Sequence, residues 1–243
     1  FEWQYSDKSG VTDWDGWGIN GNFSVIFYGV RNPAGDNTID PGCSFATITG
    51  SLVDAYEEGD SRLQTVVYTA DDSLSDYLHA FQNTGYFNWK YLPRKEFRAI
   101  RGARPHNYPI NYKDIRYADV LLMAAELHLD DNTEKAQNYY DMVRKRAFGS
   151  DHEAPVVSKE NIIKERRLEF AGEGKRKWDL LRMGLDYAKE HIDASFDVPA
   201  GVPNAADFQG RFFDKSNWGM FPIPATEIRN TNEGVLQQHV PAF

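Results

Sequence analysis

The sequence predicts a mainly α fold: TPR-like helical hairpins carrying long irregular loops and a few short β-strands. Between residues 115 and 192, four stretches repeat apolar residues at helical spacing, each with start and stop signals. Residues 1–114 show little such periodicity and hold strand-like runs between loops rich in Gly, Asp and Asn. Residues 193–243 are again loop-like, punctuated by Pro199, Gly201 and Pro203. No linker divides the chain, so residues 1–243 read as one region: a loop- and strand-rich part over 1–114, a helical core over 115–192 and a tail over 193–243. The first two helical stretches are spaced for a TPR-like hairpin, but the next begins too late for a strict 34-residue TPR period.

In chain order, Phe1–Tyr5 alternates like a short strand and Ser24–Val30 reads as another. Ile48–Tyr56 suits a short helix ended by Glu57, Glu58 and Gly59; Arg62–Thr69 looks strand-like; Asp71–Asn83 is a polar insertion; Tyr86–Leu92 is aromatic and extended. The first main helix, Ile115–Leu129, is apolar nearly all round. Ala118, Leu121, Leu122, Ala125 and Leu129 line one side and Val120, Met123, Ala124 and Leu127 the other, so the pattern calls for cover on both sides. The second opens at Asn132 or Thr133 and closes at Gly149, with Ala136, Tyr139, Tyr140, Val143 and Ala147 inward. The third opens at Ser158, with Val157 and Ile162 placed as a hydrophobic staple. The fourth is expected to bury Trp178, Leu181, Leu185, Ala188 and Ile192, with Gly184 as its weak point.

Charge sets a further demand. Arg166 falls in the middle of the apolar face made by Ile162, Ile163 and Phe170, and a buried guanidinium needs carboxylates beside it. Glu169 and Glu173 are expected to lie beside it, with Asp119 or Glu126 available across an interface. Glu165, Glu169 and Glu173 recur every four residues and are expected to stack along one helix edge. An enzyme would use such acids as metal ligands or proton carriers, but no Glu-x-x-His accompanies them and arginines crowd them, which lowers carboxylate pKa. The reading is a structural ion-pair network of Asp119, Glu126, Glu165, Arg166, Glu169, Glu173, Arg176 and Arg182, with no catalytic residue assigned.

The balance of 27 basic against 36 acidic residues, a net charge of −9, argues against nucleic acid and anionic membrane surfaces as partners. No apolar run approaches a membrane span. Cys43, the single cysteine, excludes an internal disulfide framework. The six histidines are scattered without metal-ligand spacing, so no metal or cofactor is assigned. Gly16–Gly21 matches G-x-G-x-x-G by letter, but a polar stretch precedes it and a strand-like one follows, against the order a dinucleotide fold needs. Asp13–Gly16 resembles the opening of a calcium loop, yet its twelfth position is Ser24 rather than Glu.

Several ordered motifs then carry a resemblance. The run RYADVLLMAAE (116–126), then VRKRA (143–147), ERRLEFAGEGKRKWDLLRMG (165–184) and FPIPATEI (221–228) is similar to the C-terminal half of the SusD/RagB family of outer-membrane nutrient-binding lipoproteins. LVDAYEEGDSRL (52–63) and NTGYFNWKYL (83–92) fit the same pattern. The resemblance implies a SusD-like fold whose residues 1–114 face the ligand. It implies non-catalytic binding of glycans or other nutrients at the surface of a Bacteroidetes-like outer membrane, with delivery to a SusC-like TonB-dependent transporter. The chain opens at Phe1 without a signal peptide or lipid-attachment cysteine, and is expected to be a piece of a longer protein whose lipid anchor lies outside these residues.

Sugar rings present a face of C–H groups edged by hydroxyls, which proteins hold by stacking an aromatic ring and reading the hydroxyls with Asn, Asp or Arg. Trp14 and Trp17, with Asp13, Asp15, Asn20 and Asn22 close by, meet this requirement; Tyr28, Arg31, Asn32 and Trp89 are further glycan-binding candidates. Trp178 and Trp218 are assigned to packing. The alternatives are a helical glycoside hydrolase with two carboxylates across a cleft, or a TPR-like protein-interaction module without a small ligand.

Overall fold

The structure, a computed structural model, describes residues 1–8, 20–98, 102–103, 107–195, 212–231 and 234–238. Its front part holds the strand β1 (Glu2–Trp3), one-turn helices α1 (Val25–Tyr28), α2 (Gly50–Val53) and α3 (Leu63–Val66), strand β2 (Val67–Thr69), helix α4 (Ala70–Ser73) and strands β3 (Tyr86–Asn88) and β4 (Tyr112–Lys113). The helical block follows as α5 (Tyr117–Leu127), α6 (Thr133–Phe148), α7 (Lys159–Glu169), α8 (Arg176–Arg182) and α9 (Leu185–Ser195), with α10 (Ala225–Asn230) in the tail.

The hairpin of α5 and α6 is the centre of the fold. Ala118, Leu121, Leu122 and Ala125 interlock with Ala136, Tyr140 and Val143, and Val157, Ile162 and Phe170 close the same core. Local signals set the ends. Asn132 caps α6 by accepting the Lys135 N–H at 3.0 Å, Gly149 ends it at φ 104°, and the Ser158 hydroxyl caps α7 by accepting the Asn161 N–H at 3.1 Å. Val157 and Ile162 are both buried, as a staple requires.

The short strands tie the front to this block. β1 pairs antiparallel with β4, Glu2 opposite Lys113, and anchors the start of the chain at the entrance to α5. β2 pairs antiparallel with β3, Tyr68 opposite Phe87, over a core of Val30, Ile39, Tyr77 and Leu92. A third core gathers Val25, Ile26, Tyr91, Tyr108 and Ile110, and a fourth joins Ile48, Tyr56 and Val66 to Leu168 and Ala171 of the α7 region.

Several elements differ from expectation, each for a local reason. Ser24–Val30 is not a strand but carries α1: the neighbours Val25 and Ile26 both turn into one core with Tyr91, Tyr108 and Ile110, whereas a strand would send them to opposite faces. Asn22 sets the turn, accepting the Ser24 N–H and hydroxyl while its own amide donates to the Ile110 carbonyl at 2.8 Å. Arg62–Thr69 is strand only in its second half, and Tyr86–Leu92 turns into a 3-10 helix at Trp89–Tyr91. The fourth helical stretch is two helices, broken at Gly184 with φ 111°. Trp178 is 57% exposed, because α8 turns Asp179 and Leu180 inward and the residue before them faces out. Trp218 is exposed as well.

α5 is covered on one side only among the described residues. α6 and α7 both pack on its Ala118–Leu122–Ala125 side, leaving Tyr117, Val120, Met123 and Leu127 open, with Leu127 80% exposed. This asymmetry gives a direct test by urea unfolding. Leu122→Ala, which empties core volume, is expected to lose about 2–5 kcal/mol, whereas Leu127→Ala stays within about 0.5 kcal/mol. Equal losses would mean that the outer face of α5 is covered in solution.

Candidate functional site

The loops after α1 build an exposed aromatic face. Backbone bonds lock residues 42–45 against 27–30: Gly42 N–H to the Val30 carbonyl at 2.7 Å, Ser44 N–H to Gly29 at 2.8 Å and Phe45 N–H to Phe27 at 2.9 Å. The two segments cross so closely that a Cβ on Gly42 would lie 2.3 Å from the Gly29 Cα. The crossing turns the Phe45 ring outward, 67% exposed, stacked on Phe27 at 5.7 Å, with Phe27 in turn edge-on to Phe23 at 5.1 Å. The Arg31 guanidinium donates to the Cys43 carbonyl at 2.7 Å and sits 5.6 Å from the centre of the Phe45 ring. Asn32 follows, exposed and held in the left-handed region at φ 49°. Leu78 N–H donates to the Arg31 carbonyl at 2.9 Å, and that neighbouring segment adds the exposed side chains of Leu78 and Phe81. A flat ring beside a donor-rich guanidinium and a carboxamide is the combination that grips a sugar face and its hydroxyls.

Arg31 thus stands at this face and Asn32 is its exposed chain neighbour, whereas two other candidates are engaged elsewhere. Tyr28 is partly buried and tilts onto Tyr91 at 5.4 Å, and burial, with Tyr112 beside it, pushes its phenol above the usual range. Trp89 lies flat on Tyr68 at 5.4 Å and 8°, with the Arg94 guanidinium 5.0 Å from its ring centre. Trp14 and Trp17 lie outside the described residues, as does the Asp13–Gly16 stretch. Phe45 was not singled out by sequence reasoning, which weighed tryptophan and tyrosine rings; its one signal is a lone aromatic after Pro41 and Gly42 in a loop.

The acids of the helical block form a different arrangement. Glu165 accepts from Arg62 at 2.5 Å and Arg144 at 3.2 Å. Glu169 accepts from Arg146 at 2.5 Å, Arg116 at 2.6 Å and Arg62 at 3.2 Å. Glu173 accepts from Lys90 at 2.7 Å and Arg116 at 2.8 Å. Arg62 is itself held by Asp60 at 2.7 Å. Arg166 does not use Glu169 or Glu173: it grips Asp179 at 2.8 Å and Asp119 at 2.5 Å, and Arg182 joins Glu126 to Asp179. The guanidiniums of Arg116 and Arg166 lie 4.9 and 5.0 Å from the centre of the buried Phe170 ring. Arg176 stands outside the network, making no ion pair among the described residues. Asp60, Lys90, Arg146 and Asp179 are members that sequence reasoning missed, because they come from other segments or from the solvent side of the helical pattern.

The three glutamates are not one stripe of a helix. α7 ends at Glu169, and a turn through Gly172 at φ 78° brings Glu173 back. A Cβ on residue 172 would come 1.9 Å from Asn88 Nδ2, so the turn admits glycine alone. Glu169 and Glu173 line a cavity of about 260 Å³ together with Arg62, Lys90, Lys113, Arg116 and Arg146. Burial alone would push the Glu169 carboxyl up, but Arg146, Arg116 and Arg62 outweigh it and hold it at about 2, where it cannot donate a proton at neutral pH. No group of three or more His, Cys, Asp or Glu suited to a metal ion occurs among the described residues, and no helix there is long and apolar enough to cross a membrane.

The sequence model of the SusD family matches residues 37–241. The chain belongs to the SusD family. Among similar proteins, SusD-like protein P2 of Formosa agariphila is 30% identical over 149 residues, which cover 56% of this chain and 27% of that protein. Surface glycan-binding protein A from Bacteroides fluxus superposes with a TM-score of 0.82 at 30% identity, over 100% of this chain and 50% of that one. Surface glycan-binding protein A from Bacteroides thetaiotaomicron, solved in complex with laminarihexaose, gives 0.79 at 28% identity, over 98% of this chain and 51% of that one. The chain therefore spans about half the length of these solved structures, and its match covers about a quarter of the curated relative.

The Glu169 pairing predicts how this SusD-family frame responds to acid. The carboxyl sits lower in the folded chain than its ordinary 4.5, so its contribution is fully present above about pH 4.5 and is lost as pH falls towards 2. The contribution is on the order of 3 kcal/mol. Urea midpoints measured from pH 7 to pH 3 should fall below pH 4.5 in the native sequence, and fall less steeply in Glu169→Gln, which starts lower. Parallel profiles would mean that Glu169 does not carry the acid sensitivity.

Proposed function

We propose that this SusD-family chain holds a glycan without making or breaking bonds, at the cell outer-membrane surface, and hands it to a SusC-like TonB-dependent transporter. Attachment to the membrane would come from a lipid anchor outside these residues. The observation that carries the binding reading is the exposed Phe45 ring with the Arg31 guanidinium over it. The laminarihexaose bound by the Bacteroides thetaiotaomicron relative points to a laminarin-type β-glucan as the ligand class. Trp14 and Trp17 join the proposal on the composition of their stretch alone, rich in Asp, Asn and Gly. Tyr28 and Trp89 act beneath the surface, propping the loops rather than meeting the sugar. The paired acids brace the frame, and no hydrolytic role is assigned to them.

Affinity electrophoresis in gels containing laminarin tests this reading. The chain should be retarded by the polysaccharide, and Phe45→Ala should weaken retardation about tenfold in apparent Kd, equivalent to roughly 1.4 kcal/mol. Arg31→Ala should weaken it by a smaller factor, and Trp14→Ala and Trp17→Ala report on the first stretch. Migration unchanged by laminarin would reject the ligand class, and release of reducing ends from it would reject the non-catalytic reading.

A further inference from the structure

The arginines around α7 and α8 are of two kinds. Arg62, Arg116, Arg144, Arg146, Arg166 and Arg182 each hold a carboxylate. Arg167 and Arg176 hold none among the described residues. Arg167 donates to the Ser51 hydroxyl at 2.9 Å, and the Arg176 Nη1 is buried with no hydrogen-bond partner. A guanidinium does not discharge at neutral pH, so a buried N–H of this kind has to be met by an acceptor or it costs the chain free energy. Burial and the Arg167 charge hold Arg176 at about 10, still protonated under ordinary conditions.

These two side chains, with His191, form the common wall of two cavities of about 360 and 340 Å³. The larger is lined by two acids, and both are already taken: Glu57 by Arg144 at 2.8 Å, and Glu165 by Arg144 and Arg62. The smaller is lined by no acid and adds Lys177. Tyr187 and His191, stacked at 3.8 Å, give the larger cavity a flat wall beside the two cations. Two cations that hold no carboxylate directly, a buried donor without an acceptor and a volume that takes one sugar-sized molecule occur together.

We propose that Arg167 and Arg176 form an oxyanion site, taking a carboxylate or sulfate group carried on a small molecule or free in solution. The site is separate from the Phe45 face and does not rest on the glycan reading. Two planar guanidiniums converging on one anion give the forked hydrogen bonding that carboxylates and sulfates accept.

Isothermal titration of the full chain with glucuronate, inorganic sulfate and glucose tests the inference. Glucuronate or sulfate should bind saturably, glucose should not, and Arg176→Gln and Arg167→Gln should each weaken the anion at least tenfold. Tighter glucuronate than sulfate assigns a sugar acid; sulfate alone assigns a free oxyanion. Should Arg176→Gln fail to fold by circular dichroism, Arg167→Gln, at a partly buried position, carries the same expectation. The proposal is overturned if neither anion binds, if glucose matches glucuronate, or if the folded variants bind as the native chain does.

Discussion

Glu165, Glu169 and Glu173 carry charge almost out of reach of water, and each persists because cations from distant segments meet it. Moving a carboxylate out of water costs several kcal/mol, which the attraction of a partner offsets only when geometry and hydrogen bonding are good. Here they are: Arg116 spans Glu169 and Glu173 and also donates to the Glu169 carbonyl at 2.8 Å, while Lys90 reaches the same carbonyl at 2.9 Å. The value of such a network lies in position more than in net stability. Arg62 and Lys90 belong to the front of the chain and Arg116 to the head of α5, so satisfying the acids fixes the loops relative to the helices. Hydrophobic contact alone would tolerate sliding; forked ion pairs do not.

That fixed relation is what allows an irregular segment to present an ordered aromatic face. The Phe45 loop has little regular structure, yet its backbone is crossed by bonds to residues 27–30, and beneath it Tyr28, Tyr91 and Tyr112 stack in sequence. Trp89 and Tyr68 do the same under the neighbouring strands. Aromatic residues therefore play two parts here: most support the loops from below, and a few, Phe45 among them, stand exposed at the top.

The helical block was legible because its signals are local. Asn132, Gly149 and Ser158 act within one turn of themselves, and the apolar spacing of Ala136, Tyr140 and Val143 needs no knowledge of the rest. Ser24–Val30 was misread because its β-branched and aromatic composition is overridden by tertiary burial of two adjacent residues and by the turn that Asn22 sets ahead of α1. The need for Arg166 to be paired could be read; the identity of its partners could not, since Asp119 and Asp179 reach it through helix packing rather than proximity in sequence. Phe45 shows the same limit. Nothing in its residue type distinguishes an exposed phenylalanine from a buried one, and only the Gly29–Gly42 crossing turns it outward.

The ion-pair brace also orders events in time. Arg62 is 107 residues from Glu169, Lys90 is 83 from Glu173 and Arg116 is 53 from Glu169. On the ribosome the cations are therefore made well before the acids that neutralise them, and the front of the nascent chain has no way to seat itself until the segment through Glu173 has emerged. Closure of such distant contacts comes late and slowly. Until then Arg62, Lys90 and Arg116 wait for Glu169 and Glu173, and the order of synthesis makes α7 and the turn after it the latch.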